Sequence, residues 1–344
     1  MRVEINNIRE RSQKLFIAAG ISESDAKIIT EVLLETEMRG VFTHGFMRLE
    51  RYIACLESGG VKKDGNISVE IDLPSMATVN GNDNLGIIVS YKAMQLAMEK
   101  ARKTGIGTVY VKGSHHFGAA GYYASMCAKQ NMAGVSMSNS DVLVAATGTC
   151  EKNIGNNPFS YSVPAGKYGN IIYDIAMSHT SDQKVIQCER EGKPVPAGWI
   201  IDKEGNPTTD PVDYINGGTL MPFGGYKGYG LAMMVEVFAA AMSGSAMTHD
   251  VHAWNRNKDK GGNVGHAFMA IDLSKLGNPE DYSKRVENLI TEIKESKKAV
   301  GVDKVYFPGE IEAEKYQKCI DSGYVEIADF VMEGIEELEA RLLG

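Results

Sequence analysis

Apolar residues recur at helical spacing through residues 5–60. Ile8, Leu15, Phe16 and Ala19 form one stripe, Gly20 ends it, and Ser22-Glu23-Ser24-Asp25 supplies a cap and negative charge for the next helix. Ala26, Ile29, Val32, Leu33 and Met38 carry that second helix to Gly40. Thr43-His44-Gly45 interrupts, and a third helix resumes over residues 47–56, with a start as early as Thr43. A mixed segment, residues 62–84, reads as a boundary. Beyond it the pattern alternates: strand at 76–81, helix at 87–104, strand at 107–111, helix at 122–130, and strands at 134–138 and 171–178. A hairpin at 198–207, a helix at 231–241, a long loop at 247–265 and a strand at 264–273 follow. An amphipathic helix at 282–297 and a short strand at 305–310 lead into a helical tail. The pattern predicts an α/β fold with a helical subdomain: residues 1–70 joined by the tail 311–344, beside an α/β unit spanning 71–310.

Composition narrows the function. The 344 residues are 43% hydrophobic and 23% charged, as in ordinary globular proteins. A formal net charge of -8 argues against a nucleic-acid binder, which needs a basic face. The five cysteines, Cys55, Cys127, Cys150, Cys188 and Cys319, lack metal-type spacing and read as reduced thiols. The chain opens without the apolar core of a secretion signal, and its most apolar stretch, residues 229–241, is interrupted by Glu236. A cytoplasmic protein with no membrane partner is expected.

Candidate chemistry concentrates in residues 109–141. A strand-like run breaks at Gly113 into His115-His116 and a small-residue turn, Gly118-Ala119-Ala120-Gly121; a later strand closes on Asn139-Ser140-Asp141. If both polar loops follow the carboxyl ends of strands, both face one crevice. A histidine there either moves a proton or caps a strand or helix end. Metal binding is the weaker reading, because adjacent histidines diverge and no companion ligands are spaced for zinc.

Three further places carry chemistry. A helix starting near Thr43 puts His44 and Arg48 on one face, suited to a carboxylate substrate if not merely a surface pair. Asp174, in the apolar run 171–178, needs a partner such as a ligand hydroxyl or a backbone donor. Gly224-Gly225-Tyr226-Lys227-Gly228-Tyr229-Gly230 opens onto a helix and is either an anion cradle or a tight turn. Neither a P-loop nor a Gly-x-Gly-x2-Gly dinucleotide fingerprint is present.

Taken in order, these motifs resemble the type 2 malate/L-lactate dehydrogenase family, which includes ureidoglycolate dehydrogenase, sulfolactate dehydrogenase and diketogulonate reductase. Arg39-Gly40-Val41-Phe42-Thr43-His44-Gly45, His115-His116-Phe117-Gly118, Asn157-Pro158, Asp174-Ile175-Ala176, Pro196-Ala197-Gly198-Trp199, Pro207-Thr208-Thr209-Asp210-Pro211, the Gly224 loop and Tyr306-Phe307-Pro308-Gly309-Glu310 carry the likeness. It departs from the commoner pattern at Thr43, Asn156 and the Ile-Ala-Met-Ser run after Asp174, and most at Ala145-Ala146-Thr147-Gly148-Thr149.

The resemblance implies a non-Rossmann nicotinamide-binding fold, a homodimer, and a small 2-hydroxy or 2-oxo acid as substrate, malate or lactate-like. Ureidoglycolate and sulfolactate are the alternatives within the family. NAD is the expected cofactor, with NADP as the alternative, and no metal is expected. By the same resemblance His116 is the acid/base, and His44 and Arg48 face the substrate. Ser140, Asp174, Ile175, Ala176, Lys227, Tyr306, Phe307 and Pro308 match dinucleotide contacts, with Asn156 and Asn157 as further contributors. In the reducing direction His116 donates a proton to the forming alkoxide while Arg48 holds the carboxylate, although His44 could exchange roles with it. A cofactor-binding protein without catalysis and a hydrolase using a metal at His115-His116 are the rivals from other classes.

Overall fold

The computed structural model describes residues 1–63 and 66–344; residues 64 and 65, inside the expected boundary segment, lie outside the described residues. At its centre is a seven-stranded sheet. In spatial order its strands are Ser68–Asp72, Met76–Asn80, Ile106–Ser114, Val264–Asp272, Met132–Ser138, Phe159–Pro164 and Asn170–Ile175. Within this sheet Met76–Asn80 and Ile106–Ser114 pair in parallel, and every other neighbouring pair is antiparallel.

That order decides where a site can form. Val264–Asp272 runs antiparallel to both Ile106–Ser114 and Met132–Ser138, so those two strands point the same way. Their carboxyl ends, carrying the histidine loop and the Asn139-Ser140-Asp141 loop, meet at one edge. The helices Gly86–Thr104 and Ala120–Ala128 cover one face through Ala93, Ala97, Ala101, Tyr123 and Cys127, packed on Val109, Val111 and Phe268. Gly107 permits the contact: a Cβ there would lie 1.9 Å from the Ala97 carbonyl oxygen.

The first and last parts of the chain share a second core. Helices Ile5–Ala18, Glu23–Met38 and Leu49–Ser58 bury Leu15, Phe16, Ile29, Leu33, Leu49, Tyr52 and Ile53 together with Val325, Ile335 and Leu338 of the tail. The tail is two helices, Glu310–Ser322 and Asp329–Leu342, around a short strand Tyr324–Glu326 that pairs antiparallel with Arg2–Glu4. Arg11 ties it down with two bonds of 2.7 Å to the Glu339 carboxylate. A five-stranded sheet that includes Val142–Ala145 and Lys152–Gly155 extends the other side.

Some elements differ from the pattern read in the sequence. The segment expected as a strand at 305–310 is not one: Gly309 turns the chain at φ +88°, the Phe307 N–H donates to the Glu310 carboxylate, and the Pro308 carbonyl accepts from the Ile172 N–H at 3.3 Å without a strand ladder forming. The helix expected at 231–241 begins earlier, at Tyr226, and passes into a wider π turn over Val237–Ala241. The third helix starts at Leu49 rather than Thr43, preceded by 3-10 turns at Phe42–His44 and Phe46–Arg48.

Candidate active site

The two 3-10 turns exist because Glu37 reaches across to them. This carboxylate is 4% exposed and accepts from the Phe46 N–H at 2.8 Å. Gly45 sits so close that a Cβ would fall 1.9 Å from Glu37 Oε2. Burial pushes the Glu37 carboxyl up to about 7, opposed by the Phe46 N–H. The turn thus delivers His44 and Arg48 to one cavity without the regular helix that their spacing suggested.

That cavity, about 830 Å³, lies at the sheet edge where the two loops meet. Its size suits a small-molecule site at the larger end of the range. His44, Arg48, His116, Ser140, Asp174, Ile175, Ala176, Tyr306, Phe307 and Pro308 all line it, as does Asn156. Two expected residues do not. Lys227 is exposed at the start of the helix Tyr226–Glu236, outside this cavity. Asn157 is fully buried behind the site, where its side-chain amide donates to Glu236 Oε2 at 2.8 Å and its carbonyl accepts from the Ser140 N–H at 3.2 Å. Asn157 therefore braces the Ser140 loop, and Asn156 accepts from Ser140 Oγ at 2.8 Å.

His116 is held on several sides. Its Nδ1 lies 2.6 Å from the Tyr52 hydroxyl, which leaves Nε2 as the nitrogen for a ligand. The His44 ring stacks 5.7 Å away, and the Trp254 indole lies at 4.2 Å and 17°. Below it, Phe117 stacks on His266, whose two nitrogens bond Ser138 Oγ at 2.9 Å and Ser114 Oγ at 2.8 Å. Burial, then the fields of His44, Arg48, His115 and His266, hold the His116 imidazolium well below its usual range. His44 is pushed down to about 4, by burial first and Arg48 second. Both rings are therefore neutral at neutral pH.

Arg48 Nε donates to the Thr43 carbonyl at 2.6 Å, and among the described residues Arg48 forms no ion pair. Its outer nitrogens are left for an anionic ligand. Asp174 has the backbone donor it required: Gly121 N–H bonds it at 2.6 Å at the start of the helix Ala120–Ala128. Its side chain is exposed to the cavity, whose walls still crowd the carboxyl. Burial raises it to about 6, against the Gly121 N–H and with Glu312 adding repulsion. Thr180 Oγ1 and Ser181 Oγ, on residues lining the same cavity, are buried without a hydrogen-bond partner, as expected of a wall that meets a polar ligand.

Tyr52 and Trp254 carried no signal of this role in the sequence. Tyr52 is fully buried and reads as core, although it continues the spacing of His44 and Arg48 by another four residues. Trp254 lies in the long loop, which does reach over the pocket through Val251, His252, Trp254 and Asn255. Among the described residues no cluster of His, Cys, Asp and Glu is arranged to hold a metal, and no helix is long and apolar enough to cross a membrane.

Comparison with known proteins decides the kinship. The pattern of the malate/L-lactate dehydrogenase family matches residues 3–336. The chain belongs to that family. It is 38% identical to the malate dehydrogenase of Pyrococcus horikoshii over 322 residues, 90% of this chain and 88% of that one. It is 35% identical to the malate/(S)-sulfolactate dehydrogenase of Methanothermus fervidus over 336 residues, covering 96% and 94%. The solved sulfolactate dehydrogenase of Methanocaldococcus jannaschii superposes with a TM-score of 0.93 at 31% identity, covering 99% of this chain and 97% of that one. This family member is an oxidoreductase of small hydroxy acids that works with a nicotinamide cofactor.

Proposed function

We propose that the protein interconverts a malate- or lactate-like 2-hydroxy acid and its 2-oxo acid, with NAD as cofactor and His116 as the proton-transfer group. The observation that carries this reading is the convergence of His116, His44 and Arg48 on one cavity, with His116 Nδ1 already bonded to Tyr52. Arg48 pairs with the substrate carboxylate, and His44 orients the oxygen on the neighbouring carbon. A nicotinamide, when bound, would supply the hydride acceptor or donor for C2. In oxidation the neutral His116 takes the hydroxyl proton at Nε2. In reduction His116 must first gain a proton, and the entering carboxylate favours this by offsetting the positive field of Arg48.

The dinucleotide would lie against Ser140, Asp174, Ile175, Ala176, Tyr306, Phe307 and Pro308, on a mixed sheet rather than a parallel doubly wound one. Asp174 and Glu312 support NAD over NADP: a ribose diol can donate to a carboxylate, whereas a ribose phosphate is repelled. We divide the chain into a helical unit, residues 1–70 with 311–344, and an α/β unit, 71–310. We also read it as a homodimer, because Tyr226, Met233, Val237 and Met242 form an exposed apolar face on the helix that carries Lys227. Lys227 then serves a cofactor only across that contact. Nicotinamide absorbance followed with NADH or NADPH over pyruvate, oxaloacetate and their sulfonate and ureido counterparts tests the reading. Turnover of at least one acid is expected, and silence across the set with both cofactors contradicts it.

A further inference from the structure

Residues 251–263 connect the 3-10 turn Thr248–Asp250 to the strand Val264–Asp272. Midway they are pinned to the helix Leu49–Ser58. Arg51 donates from Nε and Nη2 to the Trp254 carbonyl at 3.0 and 2.6 Å, and Ser58 Oγ donates to the Lys258 carbonyl at 2.9 Å. At the first of these pins the indole of Trp254 lies on the site. Its ring stacks on His116 at 4.2 Å and on Tyr52 at 5.3 Å, and the Arg48 guanidinium sits 5.5 Å from its centroid. His115, 1% exposed and with neither ring nitrogen hydrogen-bonded, meets the same indole edge-on at 5.9 Å.

We propose that residues 251–263 form a strap on which Trp254 is the positioning residue for His116 and Arg48, with Arg51 as the clamp that fixes its height over the imidazole. The inference rests on His116 being the proton-transfer group. A flat aromatic contact keeps water off the imidazole and stops the ring from turning about its bond to Tyr52. The indole also holds Arg48 by its quadrupole, so the groups meant for the proton and for the carboxylate share one support. The groups around His116 are His44 and Arg48 from the 3-10 turns, Tyr52 from the following helix, His115 beside it, His266 from the central strand and Trp254 from the strap. Trp254 sits on a long connection tied to the helix Leu49–Ser58 by Arg51 and Ser58, so its placement depends on these two side chains.

Trp254→Ala, Trp254→Phe and Arg51→Ala separate this from a merely structural role. The readouts are kcat across pH and the titration of the His116 ring protons by NMR. Loss of the indole admits water, so Trp254→Ala is expected to raise the His116 pKa by at least about one unit toward the ordinary value. It should also lower kcat by roughly ten- to a hundredfold, part of what a well-placed acid/base group contributes. Trp254→Phe keeps a flat ring and stays within a few fold of wild type; Arg51→Ala falls between. If Trp254→Ala does not fold, Arg51→Ala carries the test, since it removes the clamp and leaves the indole in the chain. An unchanged His116 titration with kcat within about twofold of wild type overturns the proposal. The titration needs no turnover: a wild type inactive on every acid counts against the reaction, and the strap is then judged by the shift alone.

Discussion

Tyr52 makes a bond of 2.6 Å to His116 Nδ1, so Tyr52→Phe removes one hydroxyl and frees the ring while sparing the packing. We expect kcat to fall about tenfold with little change in KM, because orientation is lost rather than substrate binding; steady-state kinetics checks it. Asp174→Asn removes a negative charge near Glu312 and should improve the use of NADPH relative to NADH, read from the ratio of their kcat/KM values. His116, His44 and Arg48 were legible in the sequence because each sits in a short motif of residue types that suit acid/base and carboxylate chemistry. Tyr52 and Trp254 were not, since a buried tyrosine and a loop tryptophan look like packing until the imidazole they touch is placed. Lys227 shows the opposite limit: its motif was clear, but its exposure outside the cavity was not.

At the scale of elements, the turn between the second and third helices is the sensitive part. Gly45→Ala would drive a methyl group to 1.9 Å from Glu37 Oε2, so the turn must open and carry His44 and Arg48 away. Near-complete loss of turnover is expected, with far-ultraviolet circular dichroism showing the helices retained. Five of the seven central strands and most helices could be read from periodicity because each buries one face, as Ile106–Ser114 and Gly86–Thr104 do, whereas Ser68–Asp72, fully exposed inside the supposed boundary segment, and Phe159–Pro164 were not read as strands. The start of the third helix could not. It is set by Glu37, nine residues before the amide it accepts from, and periodicity carries no information about that bond.

For the whole molecule, the buried histidines couple stability to pH. His44 and His115 are pushed down to about 4 and His266 to about 3, each by burial first. Their folded values lie below the unfolded value near 6.5, so the unfolded chain binds more protons as pH falls. The stability they contribute is complete above about 6.5 and is lost progressively toward pH 4. Glu37 acts in the other direction. Its folded value of about 7 exceeds the unfolded value of 4.5, so its contribution is complete below 4.5 and lost as pH rises through 7. Thermal unfolding across pH should therefore show wild type weakening in acid, and Glu37→Gln gaining on wild type as pH rises from about 4.5 to about 7, with no further gain above that. The joining of chain ends around one helical core was only partly visible in the sequence. Amphipathic stripes marked those helices as packing on something, while the pairing of Arg2–Glu4 with Tyr324–Glu326 links residues too far apart for any local pattern to report.

The assignment of proton transfer to His116 is tested most directly by comparing His116→Ala with His44→Ala, measuring kcat for a 2-oxo acid alongside cofactor binding by fluorescence. The account predicts that His116→Ala lowers kcat by at least about a hundredfold while cofactor binding persists, and that His44→Ala retains a larger share of turnover. Near-normal kcat in His116→Ala, with His44→Ala inactive, would contradict it.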